Sequence, residues 1–265
     1  MLLLQLILVN MKHKYQQRIV IPCYDTDVSQ LLKPSSFMDL AQEAANIHAK
    51  ILGFGYDRLI ETRTAWVLSR MHIEFLRHPR WNEEVELSTW HKGPERLFYL
   101  RDFLMISAGG EPLVRATTSW LVLNIDTRRL VRSSGISTED TCQENAIEKP
   151  CDKVQMPSDV DKELVAEHVV SYSDVDLNGH TNNAMYLVWS MDVVDYAVTS
   201  SVPLKELKIN FNKETKPGEK VSLYRAVKEI DVLDDTVECG GRKEITVYVE
   251  GEVDGHSAFC VELKF

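Results

Sequence analysis

The densest concentration of potentially catalytic side chains lies at Asp176-Leu177-Asn178-Gly179-His180, followed by Thr181, Asn182 and Asn183. A carboxylate, a carboxamide and an imidazole in one short loop can accept a proton, donate a hydrogen bond and shuttle a proton. Gly179 lets the backbone turn sharply between them. The loop runs into a helical pattern. Backbone N–H groups at a helix N-terminus carry partial positive charge and lack intrahelical partners. They can bind an oxyanion, and one such donor contributes about 3–4 kcal/mol in a transition state. The same residues are also ordinary structure formers, since Asx and glycine favour turns and Asn182 or Asn183 is a normal helix cap. The motif by itself leaves both readings open.

An internal repeat supplies an independent test. MHIEFLRHPRWNEEVEL, from Met71, matches LKINFNKETKPGEKVSL, from Leu207, at a constant offset of 136 residues. Ile73 then meets Ile209, Phe75 meets Phe211, Val85 meets Val221 and Leu87 meets Leu223. Both segments alternate apolar and polar residues, the period of a half-buried strand. A looser match precedes it. VIPCYDTD, ending at Asp27, resembles VVSYSDVD, ending at Asp176, with Tyr24 and Tyr172 separated by 148 residues. A longer helix and loop in the first half would absorb the difference between the offsets. In the first half VSQLLKPSS replaces the Asp-Asn-Gly-His loop, with Leu31 or Leu32 near the histidine position. At the 136 offset His78 stands opposite Glu214. Carboxylate, histidine and amide are therefore complete only in the second half, which favours one active site per chain.

Each half reads as strand, loop, helix and then several strands, which suggests a curved sheet wrapped around a central helix. The first helix is expected from about Ser36 to Lys50, capped by Ser35 or Ser36. Its apolar face would hold Phe37, Leu40, Ala41, Ala44, Ile47 and Ile51. The second starts near Asn183 and turns Met185, Val188, Trp189 and Val193 inward. Expected strands are TAWVLSRMHIEF, EEVELSTW, RLFYLRDFLMI and VRATTSWLVLN, then LKELKINF, KVSLYRAVKEI, EITVYVEGEV and SAFCVELKF. Gly109-Gly110 and Gly240-Gly241 read as hairpin turns. The domains are expected at 11–132 and 162–265. Residues 133–161, polar and without periodicity, would link them.

A chain of 265 residues with 44% hydrophobic content can bury a real core, and 26% charged residues keep its surface wet. The net charge of −10 argues against general nucleic-acid binding, which needs a basic surface. Cys23, Cys142, Cys151, Cys239 and Cys260 are odd in number and scattered, so neither a disulfide framework nor a zinc site is expected. A reducing compartment, read as the cytoplasm, fits best. The apolar start, MLLLQLILVN, is too short to span a bilayer and lacks the marks of a signal peptide. Translation starting at Met11 is an equal reading, and no membrane association is expected. His72, His78 and His91 lack ligand spacing. No nucleotide loop, metal cluster or serine elbow is present, so no cofactor and no metal are expected.

WVLSRMHIEF, RHPRWNEEVELSTW, YLRDF and SWLVLNIDTRRL, followed by DVDLNGHTNNAMYLVW and LKINFNKET, resemble the acyl-acyl carrier protein thioesterases of plants and bacteria. The resemblance runs from about Ile19 to Phe265. It implies an α+β tandem double hot-dog in which the first domain shapes a tunnel for the acyl chain and the second is catalytic. It implies hydrolysis of the acyl thioester, releasing free fatty acid. It places the site at Asp176, Asn178, His180 and Glu214. Without the resemblance, Glu214 in NKETKPGE reads as a solvated turn carboxylate. With it, Glu214 is the expected general base for water, His180 positions the water or protonates the thiolate, and Asn178 with helix amides polarises the carbonyl. Asp176 orients the set. Many plant members carry cysteine where this chain has Thr215, a far poorer nucleophile, so direct attack by water is expected.

The implied partner is acyl carrier protein, an acidic protein that would dock on a local basic surface. Lys213 and Lys216 are the preferred candidates, and Arg128 and Arg129 with Arg132 are the other. Ile47, Ile51 and Trp66 could floor the tunnel and equally could be plain core. The reacting groups do not separate the carrier protein from coenzyme A. A dehydratase or an acyl-binding module on the same fold would be the other readings. A homodimer is left open.

Overall fold

The computed structural model describes residues 13–131, 140–232 and 242–265. Met11, Arg132, Cys239, Gly240-Gly241 and residues 133–139 fall outside that description. The chain divides into two units, Met1–Cys151 and Asp152–Phe265. In the first, β1 (Tyr15–Val20) leads to α1 (Pro34–Ile51), α2 (Tyr56–Glu61), β2 (Thr64–Phe75), β3 (Glu84–Glu95), β4 (Phe98–Ser107) and β5 (Pro112–Asn124). In the second, β6 (Glu163–Val169) leads to α3 (Asn183–Asp192), α4 (Tyr196–Ser201), β7 (Glu206–Phe211), β8 (Lys220–Val232), β9 (Arg242–Val253) and β10 (His256–Lys264).

Strand order is β1-β3-β4-β5-β2 in the first unit and β6-β8-β9-β10-β7 in the second. Every pairing within each unit is antiparallel. The same topology occurs twice, each with a helix leading into the sheet, as the expected tandem hot-dog requires. The equivalences at the 136 offset hold: Ile73 and Ile209, Val85 and Val221, and Leu87 and Leu223 are all buried. Phe75 is buried and Phe211 half-buried. The expected hairpin at Gly109-Gly110 joins β4 to β5, with Gly110 at φ 84°. A second hairpin, at Asp254 (φ 51°) and Gly255 (φ 74°), joins β9 to β10 with the paired positive φ of a tight primed turn.

The helices differ from the sequence reading in detail. α1 begins at Pro34, which suits the first turn because its missing N–H has no intrahelical partner there. Lys33 precedes it, and no serine side chain caps it. Its buried stripe runs through Phe37, Met38, Ala41, Ala44, Ala45, His48 and Ala49, while Leu40, Ile47 and Ile51 are only half-buried. Beyond Met38 the stripe is mostly alanine, which lets the helix approach the sheet closely and leaves Leu40, Ile47 and Ile51 at its flanks. On α3, Tyr186, Leu187, Trp189 and Ser190 are buried, and Met185 and Val188 sit at the flanks.

The described part of the expected linker packs on the sheets. Trp90 Nε1 donates to Glu144 O at 2.8 Å, and the Ala146 N–H donates to Asp102 Oδ2 at 2.8 Å. In the second unit the Val154 N–H donates to Asn210 Oδ1 at 2.6 Å. Ala146, Ile147, Cys151 and Val154 are buried. Too few apolar residues recur there to leave a period.

The two strand-to-helix loops match residue for residue in their backbone–backbone hydrogen bonds, at an offset of 149 residues that pairs Asp27 with Asp176. The Asp27 N–H donates to Leu31 O at 2.9 Å, as the Asp176 N–H does to His180 O at 2.9 Å. The Gln30 N–H donates to Asp27 O, as that of Gly179 does to Asp176 O, both at 3.0 Å. Gln30 and Gly179 are both left-handed, at φ 63° and 75°. Leu31, not Leu32, therefore stands at the histidine position, and Tyr24 does not align with Tyr172. Most of the change in offset comes from helix length, 18 residues in α1 against 10 in α3.

Between α1 and its sheet lies a buried polar patch. Arg101 Nη1 sits 2.9 Å from His48 Nδ1 and donates to Thr89 Oγ1 at 3.2 Å. A guanidinium can only donate, so His48 Nδ1 is the acceptor. Burial pushes Arg101 down to about 9. Burial, then the Arg101 cation and His48, push the neighbouring His91 from 6.5 down to about 3.

Two predictions follow from this framework. His91 stays neutral in the folded protein, whereas the unfolded chain protonates it below about pH 6.5. Below that pH the unfolded state binds the extra proton, so stability falls by up to roughly 1.4 kcal/mol per pH unit. Asp102, pushed up chiefly by burial, acts in the opposite sense just above its ordinary 3.8. His91→Gln should therefore flatten the decline of the urea midpoint between about pH 6.5 and pH 5; an unchanged slope would assign the decline to other groups. At Gly179, a β-branched residue must adopt a left-handed backbone. Gly179→Val should cost about 1–2 kcal/mol in urea unfolding, and a neutral result would mean the loop relaxes.

Candidate active site

All four expected site residues lie in the second unit, on two segments. The first is the loop before α3. Asp176 Oδ1 accepts the Asn178 N–H at 2.8 Å and Oδ2 accepts Asn178 Nδ2 at 3.1 Å. Asp176 thus fixes both the turn and the carboxamide, leaving the second N–H of the Asn178 amide to donate elsewhere. Asn178 is exposed. The base of the loop is anchored one turn earlier by Asp174, which is 2% exposed. Its Oδ2 accepts the Ser171 N–H at 2.7 Å and lies 3.0 Å from Ser171 Oγ and 2.9 Å from His168 Nε2. Burial pushes this carboxyl up, but the bonds from His168 and Ser171 together outweigh it and hold it below the usual range. The Asp174 carbonyl in turn accepts the Asn182 N–H at 2.8 Å, seating the helix cap.

The second segment is the irregular stretch that follows β7. It carries Glu214, whose Oε1 lies 3.5 Å from His180 Nε2. The side chains are 28% and 30% exposed, so both are open to a small molecule from solvent while supported from behind. The segments are joined behind this pair by the Thr181 N–H, which donates to Thr215 O at 3.0 Å. The structure therefore brings His180 and Glu214 together and ties Asn178 to Asp176. The two pairs connect through the backbone bond from Asp176 to His180.

Sequence reasoning missed the layer beneath. Thr215 is fully buried and Thr181 and Tyr186 are 5% and 2% exposed. Their oxygens form a chain: Tyr186 OH to Thr215 Oγ1 at 3.1 Å, and Thr215 Oγ1 to Thr181 Oγ1 at 2.6 Å. The Thr215 N–H also donates to Tyr186 OH at 3.1 Å. The Thr215 hydroxyl is thus enclosed and occupied, which agrees with its rejection as a nucleophile. Burial, offset in part by the bonds with Thr215 and Thr181, pushes the Tyr186 phenol up, so it remains a donor. The signal that could have found Tyr186 was its place opposite Phe37 at the 149 offset.

The helix amides are fewer than the sequence suggested. Asn182 Oδ1 accepts the Ala184 N–H at 3.1 Å and Asn182 O accepts that of Met185 at 2.9 Å. Two first-turn donors are therefore already engaged. Lys213 and Lys216 flank Glu214 and are exposed, as are Arg128 and Arg129 in the first unit. An open concavity of about 410 Å³ lies between residues 152–159 and Lys208, Lys228, Tyr248 and Glu262. It shares no residue with the His180–Glu214 pair. Among the described residues no group of three or more His, Cys, Asp or Glu is arranged to hold a metal. No described helix is long and apolar enough to cross a membrane.

The whole-chain fold recurs in solved structures. An acyl-ACP thioesterase from Bacteroides thetaiotaomicron matches with a TM-score of 0.76 and 24% identity, covering 96% of this chain and 98% of that one. The 12:0-ACP thioesterase of Umbellularia californica matches with a TM-score of 0.78 and 21% identity, covering 95% and 93%. At these identities they show the fold. In sequence, the chain is 28% identical over 221 residues to an oleoyl-acyl carrier protein thioesterase of Coriandrum sativum, covering 76% of this chain and 59% of that one. It is 29% identical over 217 residues to a palmitoyl-acyl carrier protein thioesterase of Gossypium hirsutum, covering 76% and 52%. The chain thus spans between half and two thirds of the length of these relatives. Residues 12–139 match the model of the acyl-ACP thioesterase N-terminal domain, and residues 158–252 match that of the C-terminal domain. On two successive matches that together span most of its length, the chain belongs to the acyl-ACP thioesterase family.

Proposed function

We propose that this chain hydrolyses acyl thioesters carried on acyl carrier protein, releasing the free fatty acid. The observation that carries this reading is the His180–Glu214 pair, open to solvent and present in one unit only, beside an Asp176-oriented Asn178 amide. Glu214 takes a proton from water as its oxygen attacks the thioester carbonyl carbon. The Asn178 amide donates to the oxygen that gains charge. The C–S bond then breaks, and the departing sulfur takes a proton from His180, which recovers it from protonated Glu214 across their 3.5 Å contact. Water and thioester become carboxylic acid and thiol. Direct attack suits a site in which the hydroxyl next to Glu214 in sequence, that of Thr215, is buried in the chain with Tyr186 and Thr181. We further propose that Lys213 and Lys216 meet the acidic carrier. A reducing, cytoplasmic setting is also proposed, on the odd number and scattered placement of the five cysteines. The plant relatives are named as chloroplastic.

Release of fatty acid from a chain-length series on acyl carrier protein, with matched acyl-coenzyme A, tests the substrate class. Preference for the carrier protein is expected, with Glu214→Ala lowering kcat by about 10²–10⁴-fold. Preference for coenzyme A would change the carrier. No release from either would leave a dehydratase or a binding module. Intact mass measured during turnover should show no acylated enzyme, and an adduct would overturn direct water attack. Glu replacing both Lys213 and Lys216 should raise KM for the carrier substrate about 3–10-fold and weaken its salt dependence; an unchanged KM would place docking elsewhere.

A further inference from the structure

The chain contains its own control for the hydroxyl layer beneath the His180–Glu214 pair. At the equivalent positions of the first unit Tyr186 becomes Phe37, Thr181 becomes Leu32 and Thr215 becomes Pro79. All three hydroxyls are gone, and proline also lacks the N–H that Tyr186 accepts in the second unit. The backbone tie nevertheless survives, with the Leu32 N–H donating to Pro79 O at 2.9 Å against 3.0 Å for Thr181 to Thr215. The preceding loop keeps the same backbone hydrogen bonds and a left-handed residue at the same place. The fold of the loop therefore does not need the hydroxyl chain. What the first unit lacks along with that chain is the pair itself, since Leu31 and His78 replace His180 and Glu214.

The geometry of the second unit says what the chain is for. Thr181 and Thr215 are the residues immediately after His180 and Glu214. Their hydroxyls are 2.6 Å apart, and Tyr186 holds both the Oγ1 and the N–H of Thr215 at 3.1 Å. Three segments thus meet at one phenol: the loop before α3, the stretch after β7 and helix α3 itself. The Tyr186 ring is itself fixed, 4.9 Å from Phe259, 5.2 Å from Trp189 and 5.6 Å from Phe211. Phe259 needs Gly251 opposite it, where a Cβ would stand 2.0 Å from its ring. The 3.5 Å His180–Glu214 contact, on half-buried side chains, spans segments that this buried chain clamps from below.

We infer that Tyr186 is a positioning residue, which through the hydroxyls of Thr215 and Thr181 holds Glu214 and His180 at reacting distance. The inference rests on the reading of that pair as the reacting groups. It adds a residue that touches neither water nor thioester, and whose loss acts on the chemical step more than on binding.

Tyr186→Phe tests it, because the ring packing is kept and phenylalanine is what the first unit carries at this place. Expected are a kcat lowered about 10–100-fold with KM within about twofold, and faster hydrogen exchange at the Thr215 amide. Thr215→Val should produce a similar loss and Thr215→Ser should recover most of it. Tyr186→Phe added to Thr215→Val should lower kcat little further, because both break one chain. A kcat unchanged in Tyr186→Phe overturns the inference. So does a full second loss in the double variant, which would put the phenol on the substrate. Crystal structures of the wild type and Tyr186→Phe decide the point without an assay: a His180–Glu214 separation that opens in the variant upholds the inference, and an unchanged one overturns it. If the wild type releases no fatty acid, or Glu214→Gln is as active as the wild type, the reading of the pair fails. The crystallographic comparison still decides whether Tyr186 holds it.

Discussion

A single backbone hydrogen bond makes the site possible: Thr181 N–H to Thr215 O, at 3.0 Å. His180 and Glu214 are 34 residues apart in the chain. Each sits on an irregular segment, one the loop before α3 and the other the stretch after β7, and such segments have conformational freedom that helices and strands lack. Closing them on each other fixes the positions of both side chains before any substrate arrives, which is the entropy advantage of a preorganised pair. The rest of the second unit supports this tie from two directions. Asp174 seats the loop through His168 and Ser171, and α3 supplies the Tyr186 phenol to the Thr215 amide.

The first unit shows that the tie forms without the His–Glu pair. The same bond recurs between Leu32 and Pro79, and a left-handed residue precedes it in both copies. Gln30 tolerates that backbone where the second unit has Gly179, and pays in strain. In the first copy the flanking positions have been turned to packing. His78 lies flat on Phe75, with ring centroids 4.3 Å apart, where the other copy presents Glu214. The unusual groups of the first unit lie elsewhere, at Arg101, His48 and His91 between helix and sheet. Two copies of one topology have thus concentrated their buried polar residues in different places.

Legibility in the sequence followed the physical length of each signal. β2 was readable to its ends because its twelve residues are rich in β-branched, aromatic and aliphatic side chains, although burial alternates only in part around an irregularity between Leu68 and Arg70. The loop at Asp176 to His180 was readable because Asx, glycine and histidine are compact signals. Helix faces were readable only in phase. On α1, alanines at 41, 44, 45 and 49 carry the contact, and alanine contrasts too little with its neighbours to outrank Leu40 or Ile47. Glu214 carried no local mark and entered through family resemblance. Tyr186 carried none either, because a tyrosine in YLVW looks like core and is core; its function lies in the oxygen at the end of the ring. The packing of residues 144–154 was hidden because isolated apolar residues in a polar stretch have no period.

The separation of exposed and buried polar groups explains how this site can use water and exclude its own hydroxyls. For the proposed hydrolysis a general base must meet both solvent and substrate, and the imidazole must reach the departing sulfur. Glu214 and His180, each a little over a quarter exposed, satisfy both demands. A hydroxyl one residue away would compete for that base if it were free to rotate toward it. Thr215 is not, since its oxygen is buried between two partners at 2.6 and 3.1 Å, and freeing it would strand the hydrogen bonds of Tyr186 and Thr181. An unmade buried hydrogen bond costs about 1–3 kcal/mol, which converts to roughly a 5- to 150-fold bias against the rotated state. The clamp beneath the pair therefore has a second consequence. In fixing where Glu214 and His180 stand, it also removes the nearest internal rival to water.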